Sequence, residues 1–538
     1  MITRILIIYC ILSGAVQSWA YRHAMNADGV PYLDIGDAWM RLDWKSIVNS
    51  YWSPVYPLLL GIANLVGGQN PRNDFVRAHA VNFALFLATL AAFTWFLRRF
   101  IQNVDAKGLY RASLLAGGYS LFLYSALELQ ANRNVTPDMG LMAVIYIAGG
   151  QLLDWGNRNP TRSAVWLGVA LGIGFWIKGA AFAAGWIFIV AAAISGGRSR
   201  AHLRAAAVAV AAFLAMCLPW IAAMSWQTGR LNTGDTGRLN YAFLVNGVYM
   251  THWRGDPSLA TQPIHPTRII AAQPDTFEFA TPIAGTYPPW DNPAYWNEGI
   301  NPHFHLDKQI AVLEDSAAFL RGLFFRPLIA WTLMVVLVGA LAFRAWFAYW
   351  WIVLACLAVV GMYALVLIEG RYVAPFIALL VFVLTAGAPS KVLNFARLGA
   401  GVLTLGLVGV SQFNIARQPY PAASEQVAQS LEELGLRPGE KVAVVEDGLR
   451  HYWARLARVR VVAEIPSAEQ YSQAPVERRL AALSAVDRTG ARWLVSSKPL
   501  PGSGDYSWHP VPSTNYFYMH RPQSGDSRPR LLALNLAE

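Results

Sequence analysis

Long apolar runs separated by short basic breaks fill most of this chain, and the pattern then gives way to one of soluble character. Many runs reach the roughly 20 residues that cross a hydrocarbon core. Read with their basic flanks, they predict about eleven spans. These fall near 2–20, 75–96, 112–127, 137–153, two short spans within 165–190, then 205–224, 327–343, 346–368, 373–388 and 398–413. The run 165–190 is broken at Lys178-Gly179, and an even number of crossings is needed to keep its basic flanks on one side. Two short spans meeting at an outer turn satisfy that need.

Between the spans lie two long outer segments, 21–74 and 225–325. The first holds an amphipathic stretch, 32–44, and a semi-apolar one, 54–66, each too short to span and each read as an interfacial helix. Trp39, Trp44, Tyr51, Trp52 and Tyr56 suit an aromatic belt there. The second is rich in Pro, Trp, Tyr and Asn, with too few apolar periods for a core of its own. The tail alternates helix and strand signals: helix 424–434, strands 441–445 and 459–463, helix 476–485, and strands 493–496 and 516–520. The fold class expected is an α-helical polytopic membrane protein, residues 1–415, carrying a small C-terminal α/β domain, 416–538, outside the cytoplasm. Ser18-Trp-Ala20 resembles a signal-peptide cleavage site, so 1–20 has that alternative reading. In both versions Tyr21 onward emerges on the outer face.

Composition supports the membrane reading. Apolar residues make up 55% and charged ones 14% of 538 residues, against about 25% charged in soluble domains. Mean hydropathy is +0.34. The net charge of +11 sits beside apolar segments, which argues for membrane topology and against nucleic acid. Cys10, Cys217 and Cys356 each lie inside an apolar run, where they pack as small hydrophobes.

With this topology Asp28, Asp34, Glu128, Arg133, Asp138, Lys178, Glu369 and Arg371 all fall in outer loops or at outer helix ends. Ionisable groups at membrane depth are costly and mark functional sites; each one singly could instead be an interfacial anchor. Asp28 precedes Pro31 and so sits near a helix start, where an N-cap role is the plainer alternative. Asp138 follows Thr136-Pro137 in the same way. Asp34 and Asp37 share a helix face, read as solvated. Lys178 and Arg371 suit an anion with a lipid tail, Arg as a fork and Lys as a point charge. Glu369 could pair with Arg371, although residues two apart on a helix do not face each other. His252, His265, His303 and His305 lie in the long loop, with His303-Phe-His305 spaced for one face of a strand. Tyr287-Pro-Pro-Trp290 and Asn292-Pro-Ala-Tyr295-Trp296 offer rings and amides for a sugar or acyl chain, or simply order the loop.

Four segments, in this order and sidedness, resemble the GT-C class of membrane glycosyltransferases, which includes protein O-mannosyltransferases and the lipid A aminoarabinose transferases. They are Asp28-Gly-Val-Pro-Tyr32-Leu, Thr136-Pro-Asp138, Gly172-Ile-Gly-Phe-Trp-Ile-Lys178-Gly179 and Glu369-Gly-Arg371-Tyr372-Val-Ala-Pro375. The resemblance covers about 1–413. It implies a transferase in a bacterial inner membrane, with its site and tail outside. There it would move a sugar from a polyprenyl-phosphate donor to an envelope acceptor: a lipid, a polysaccharide or a protein. Asp28 and Asp138 would be catalytic, with Asp28 the base of an inverting displacement. Lys178 and Arg371 would hold the donor phosphate. Tyr32, Asp34, Glu128, Arg133, Glu369 and Tyr372 would line the substrates. Asn26-Ala-Asp28-Gly carries one acid where the class commonly has a pair, so no metal is required; a divalent ion (Mg or Mn) shared by Asp28 and Asp138 stays open. A transporter or flippase of a lipid-linked sugar is the competing class, and a scaffold whose tail binds a partner is a third.

Overall fold

The computed structural model describes residues 1–68, 70–155, 160–195, 199–255, 262–503 and 506–521; the end of the expected tail domain, 522–538, lies outside them. A helix stands at each expected span. Six are long and apolar enough to cross a membrane: Ile2–Ala20, Pro71–Asn103, Gly108–Gln130, Arg200–Thr228, Ile329–Phe347 and Lys391–Arg417. Asp138–Trp155, Pro160–Ile177, Ala181–Ser195, Trp350–Ala364 and Gly370–Ala386 complete the bundle. This is a multi-pass membrane protein.

Helices at the centre are buried almost all round, as the unbroken buried runs Ser113–Leu123 and Val373–Val383 show. Peripheral helices keep one apolar face outward: Val402, Leu403, Leu407, Val410 and Phe413 are exposed on a single helix. That is the burial pattern of helices solvated by lipid. The break at Lys178 divides two helices that fold back on each other. A Cβ on Gly174 would lie 3.3 Å from Ala181, and one on Gly185 would lie 3.6 Å from Leu171, the spacing of a hairpin closed at residue 178. The third span runs further than expected. Its helix continues through a π-helical turn, Tyr124–Gln130, so Glu128 belongs to the helix and not to a loop.

Arg397 is fully buried in the bundle. Its guanidinium donates to the Thr385 and Ala388 carbonyls and, at 2.9 Å each, to Ser113 and Asn394. These carbonyls close the C-terminal end of Gly370–Ala386, where the helix dipole is negative. A buried cation is thereby compensated by backbone, and the helix bearing Arg371 is anchored at its far end.

Described residues of 21–74, of the long loop and of the tail share a second apolar core beside that of the bundle. The expected interfacial helices are Gly29–Arg41 and Val55–Val66. The tail forms its expected helices, Ala423–Glu433 and Val476–Arg488. Its three central strands, Lys441–Val445, Arg460–Ile465 and Trp493–Ser496, pair in parallel. They are buried apolar runs, as a doubly covered parallel sheet requires. The long loop builds no separate core but joins the one the tail and first outer segment share. Its strand Thr276–Glu278 pairs antiparallel with Arg460–Ile465 and its strand Arg268–Ala271 antiparallel with Thr276–Glu278, making a sheet of seven strands among the described residues. Phe277, Phe279, Tyr287 and Trp290 of the loop share an apolar core with Tyr32, Trp52, Val444 and Trp453. The loop's apolar positions are too scattered to show a period, yet strand pairing collects them.

Candidate functional site

Asp28 stands immediately before Gly29–Arg41, and its side chain makes no capping bond to that helix. The N-cap alternative therefore gives way to a carboxylate directed elsewhere. Its Oδ2 meets Arg371 Nη1 at 3.3 Å, and its Oδ1 accepts from the Trp290 indole at 3.4 Å. The turn carrying it is pinned to the segment that leads into the next acid. Asn26 Oδ1 accepts from the Val135 amide at 2.8 Å, and a Cβ on Gly29 would come within 2.9 Å of Val135. Only glycine permits that approach.

Asp138 opens helix Asp138–Trp155 with its side chain 3% exposed and ion-paired with Lys178. Lys178 Nζ also lies 3.9 Å above the Tyr372 ring. Arg371, in the first turn of Gly370–Ala386, donates to Glu369 at 2.6 Å and to the Tyr372 hydroxyl at 2.9 Å as well as facing Asp28. Glu369 is the extended residue just before the helix, and that backbone lets residues two apart meet. Tyr372 stacks on Tyr363 at 5.3 Å, so one ring separates and steadies both cations. Three carboxylates thus surround two cations where four helix ends meet. Below them Tyr32 packs edge-on against Trp52 and Tyr56 at 5.0 and 5.2 Å. Burial, and then the charges of Asp28 and Asp138, push its hydroxyl well above the ordinary range, so it stays a neutral donor.

The other expected lining residues are placed differently. Asp34 accepts from the Thr286 amide at 2.9 Å and from Arg455 at 2.6 Å, inside a clamp to the tail. That clamp also takes Asp37, so the face read as solvated is an internal contact. Glu128 accepts from Ser411 and Gln412 at 3.1 and 3.2 Å, on helix Lys391–Arg417. Arg133 is exposed. His303-Phe-His305 is irregular chain, not a strand: Pro302 precedes it and His305 caps Leu306–Phe325. His252 stacks on Phe277 at 4.2 Å and His265 on Tyr295 at 4.0 Å, both in structural contacts.

Trp290 and Arg455 carry parts that residue patterns did not assign. The motif Tyr287-Pro-Pro-Trp290 had the rings, but its indole's bond to Asp28 depends on a contact 262 residues away. Arg455 sits between buried Trp453 and Leu456 on a short helix, and a cation on an apolar face was the available signal.

The donor set does not fit a divalent ion. Each of the two acids proposed for it already faces a cation, and among the described residues no group of three His, Cys, Asp or Glu side chains is placed to hold a metal ion. A carboxylate already neutralised by a cation has little left for an ion.

No protein-family model matches the sequence, and no curated protein matches it. Solved structures do. ArnT from Cupriavidus metallidurans bound to undecaprenyl phosphate superposes with a TM-score of 0.54 at 13% identity, covering 97% of this chain and 99% of that one. The oligosaccharyltransferase of Archaeoglobus fulgidus, in complex with Zn and sulfate, matches with a TM-score of 0.47 at 13% identity, covering 91% of this chain and 67% of that one. The ArnT superposition runs over nearly all of both chains, so this chain has that fold, the one expected of GT-C membrane glycosyltransferases.

Proposed function

We propose that the protein transfers a sugar from a polyprenyl-phosphate donor to a hydroxyl or amine acceptor on the outer side of the cytoplasmic membrane. The observation that carries this reading is the Asp28–Arg371 contact at 3.3 Å, one acid facing one cation at a helix end, with Lys178 beside them. Outside the cytoplasm ATP is absent, so an activated sugar must arrive on a lipid. The resemblance to ArnT, crystallised with undecaprenyl phosphate, supports a carrier of that kind.

In this mechanism Arg371 and Lys178 engage the donor phosphate. Phosphate leaves readily and needs charge stabilisation more than a proton, and a partly dry site strengthens that interaction. Asp28 accepts the acceptor's proton as the new bond to the sugar's anomeric carbon forms and the bond to phosphate oxygen breaks. Inversion results, and polyprenyl phosphate departs. Asp138, tied to Lys178, holds that cation in place. No step uses a metal.

Reconstituted protein given a radiolabelled polyprenyl-phosphate sugar and envelope extract tests the reading. Labelled product should form with the natural chain and vanish with Asp28→Asn. Wild-type rates in that variant would remove Asp28 as base, and absence of any transfer would remove the function.

A further inference from the structure

We propose that Asp291 is held protonated and donates to Asp34, and that this carboxyl–carboxylate pair seats the Trp290 indole against Asp28, so that Asp291 is a positioning residue for the base. Only that last step rests on the glycosyl-transfer reading. Asp291 closes the short helix Pro288–Asp291 of the long loop and is 7% exposed. Both of its carboxyl oxygens are buried, and neither has a hydrogen-bond donor among the described residues. What the carboxyl does meet is another carboxyl, that of Asp34 on Gly29–Arg41. Two carboxylates in contact cannot both stay ionised, so one of the pair carries a proton.

The surroundings decide which one. Asp34 accepts from the Thr286 amide at 2.9 Å, from the Thr286 hydroxyl at 3.0 Å and from Arg455 at 2.6 Å. All three favour its charge. Asp291 has no such donor, and an orphaned buried carboxylate costs more than a neutral carboxyl that donates one hydrogen bond. The proton therefore sits on Asp291. The charged groups around it are Asp34, Arg455 and Arg460. Burial first, and then Asp34, push its carboxyl well above the ordinary range against the pull of the two arginines. Arg455 is engaged by the acids of the clamp, and Arg460 by the Ala280 and Ile283 carbonyls. Asp34 thus grips both ends of the turn 286–291, and its helix is the one that Asp28 precedes. Between the two grips Trp290 points its N–H at Asp28, 3.4 Å away. Asn49 and Trp52 hold the same turn by the carbonyls of Asp291 and Trp290, at 2.9 and 3.1 Å. Loss of the Asp291 contact therefore loosens the indole without releasing the loop.

Infrared difference spectroscopy on the full chain in maltoside detergent, which has no carbonyl group, tests the proton. At neutral pH the natural protein should show the C=O stretch of a protonated carboxyl that Asp291→Asn lacks. Identical spectra in that region overturn the proposal. Transfer assays test the positioning. Asp291→Ala should lower kcat severalfold while undecaprenyl phosphate binds as it does to the natural chain. Asp291→Asn, whose amide N–H replaces the O–H, should restore most of the loss. Wild-type kcat in Asp291→Ala, no recovery in Asp291→Asn, or an Asp291→Ala chain that fails to fold removes the positioning role. Absence of transfer by the natural chain would count against the transfer reading alone, since the infrared band does not depend on it.

Discussion

Two arginine clusters in this protein use the same ingredients and end in opposite states. Arg455, its side chain 3% exposed, faces Asp34 at 2.6 Å, Asp37 at 2.7 Å and Asp74 at 2.8 Å. Arg458 adds a contact to Asp74 at 3.1 Å. Burial works against ionisation of Asp37, but Arg455 and Arg458 outweigh it and hold the carboxyl below its usual range. Arg371 also faces acids, yet its Asp28 contact is loose at 3.3 Å, Asp28 is 25% exposed and Glu369 40% exposed. Next to it Asp138 leaves Oδ2 buried without a partner. A cluster closed by short contacts and sealed from water fixes architecture, here the seat of the tail on Gly29–Arg41 and on the start of Asp74–Asn103. A cluster with one long contact and two partly exposed acids keeps bonding capacity for a ligand.

The comparison breaks first at Asp28. Asp28→Asn keeps shape and loses the base, so transfer should fall by about 10²–10⁴-fold, while undecaprenyl phosphate still binds. A radiolabel transfer assay and a binding titration on the same preparation separate the two. Next, Arg455→Ala takes one buried cation from three carboxylates and leaves Asp34 without its ion-pair partner, and breaking a buried pair costs about 3–5 kcal/mol. Protease cleavage of the tail and a lowered melting temperature should follow. Arg371→Ala should leave the melting temperature nearly unmoved and weaken undecaprenyl phosphate binding by roughly 10–100-fold, the worth of a charged hydrogen bond at about 1.5–3 kcal/mol. If the two variants exchange phenotypes, the clamp and the site have been assigned the wrong way round.

Much of this division was hidden in the residues. Spans were readable because apolar length and basic flanks are properties of a single stretch, and Lys178-Gly179 marked its own hairpin. Asp28, Asp138, Lys178 and Arg371 could each be placed at one end of the bundle on the same grounds. Their partners could not. Whether Lys178 reaches Asp138 or Asp28 is decided by how Asp138–Trp155, Pro160–Ile177 and Gly370–Ala386 pack together. Asp34 misled for the same reason, since its partner Arg455 lies 421 residues away. The loop strand Thr276–Glu278 is too short to carry a period and exists because Arg460–Ile465 offers it an edge.

Acid should expose the tail's half of the comparison. His451 is buried, and burial pulls its imidazole down to about 4 despite the nearby Glu464 and Glu446 charges. An unfolded chain takes up that proton near pH 6.5, whereas the folded domain resists until about pH 4. Stability from the neutral imidazole is therefore complete above pH 6.5 and lost as pH falls toward 4. Melting curves between pH 7 and 4 should show this decline, and His451→Gln should flatten it. An equally steep decline in the variant would remove His451 as its source.

The smallest effect is the most informative about the site's open state. Glu369 and Asp28 share Arg371, and an incoming phosphate must compete with both for the same guanidinium. Glu369 is the more exposed competitor at 40% and lies at the edge, where an ion pair is worth about 0.2–1 kcal/mol. Glu369→Gln keeps the side chain's size and removes its charge. Undecaprenyl phosphate should then bind less than about fivefold more tightly, and the gain should shrink as salt shortens the Debye length from about 10 Å at 0.1 M. Weaker binding in Glu369→Gln would mean that this carboxylate positions Arg371 for the ligand, and the site would belong with the clamp as a fixed structure instead of a cluster held open.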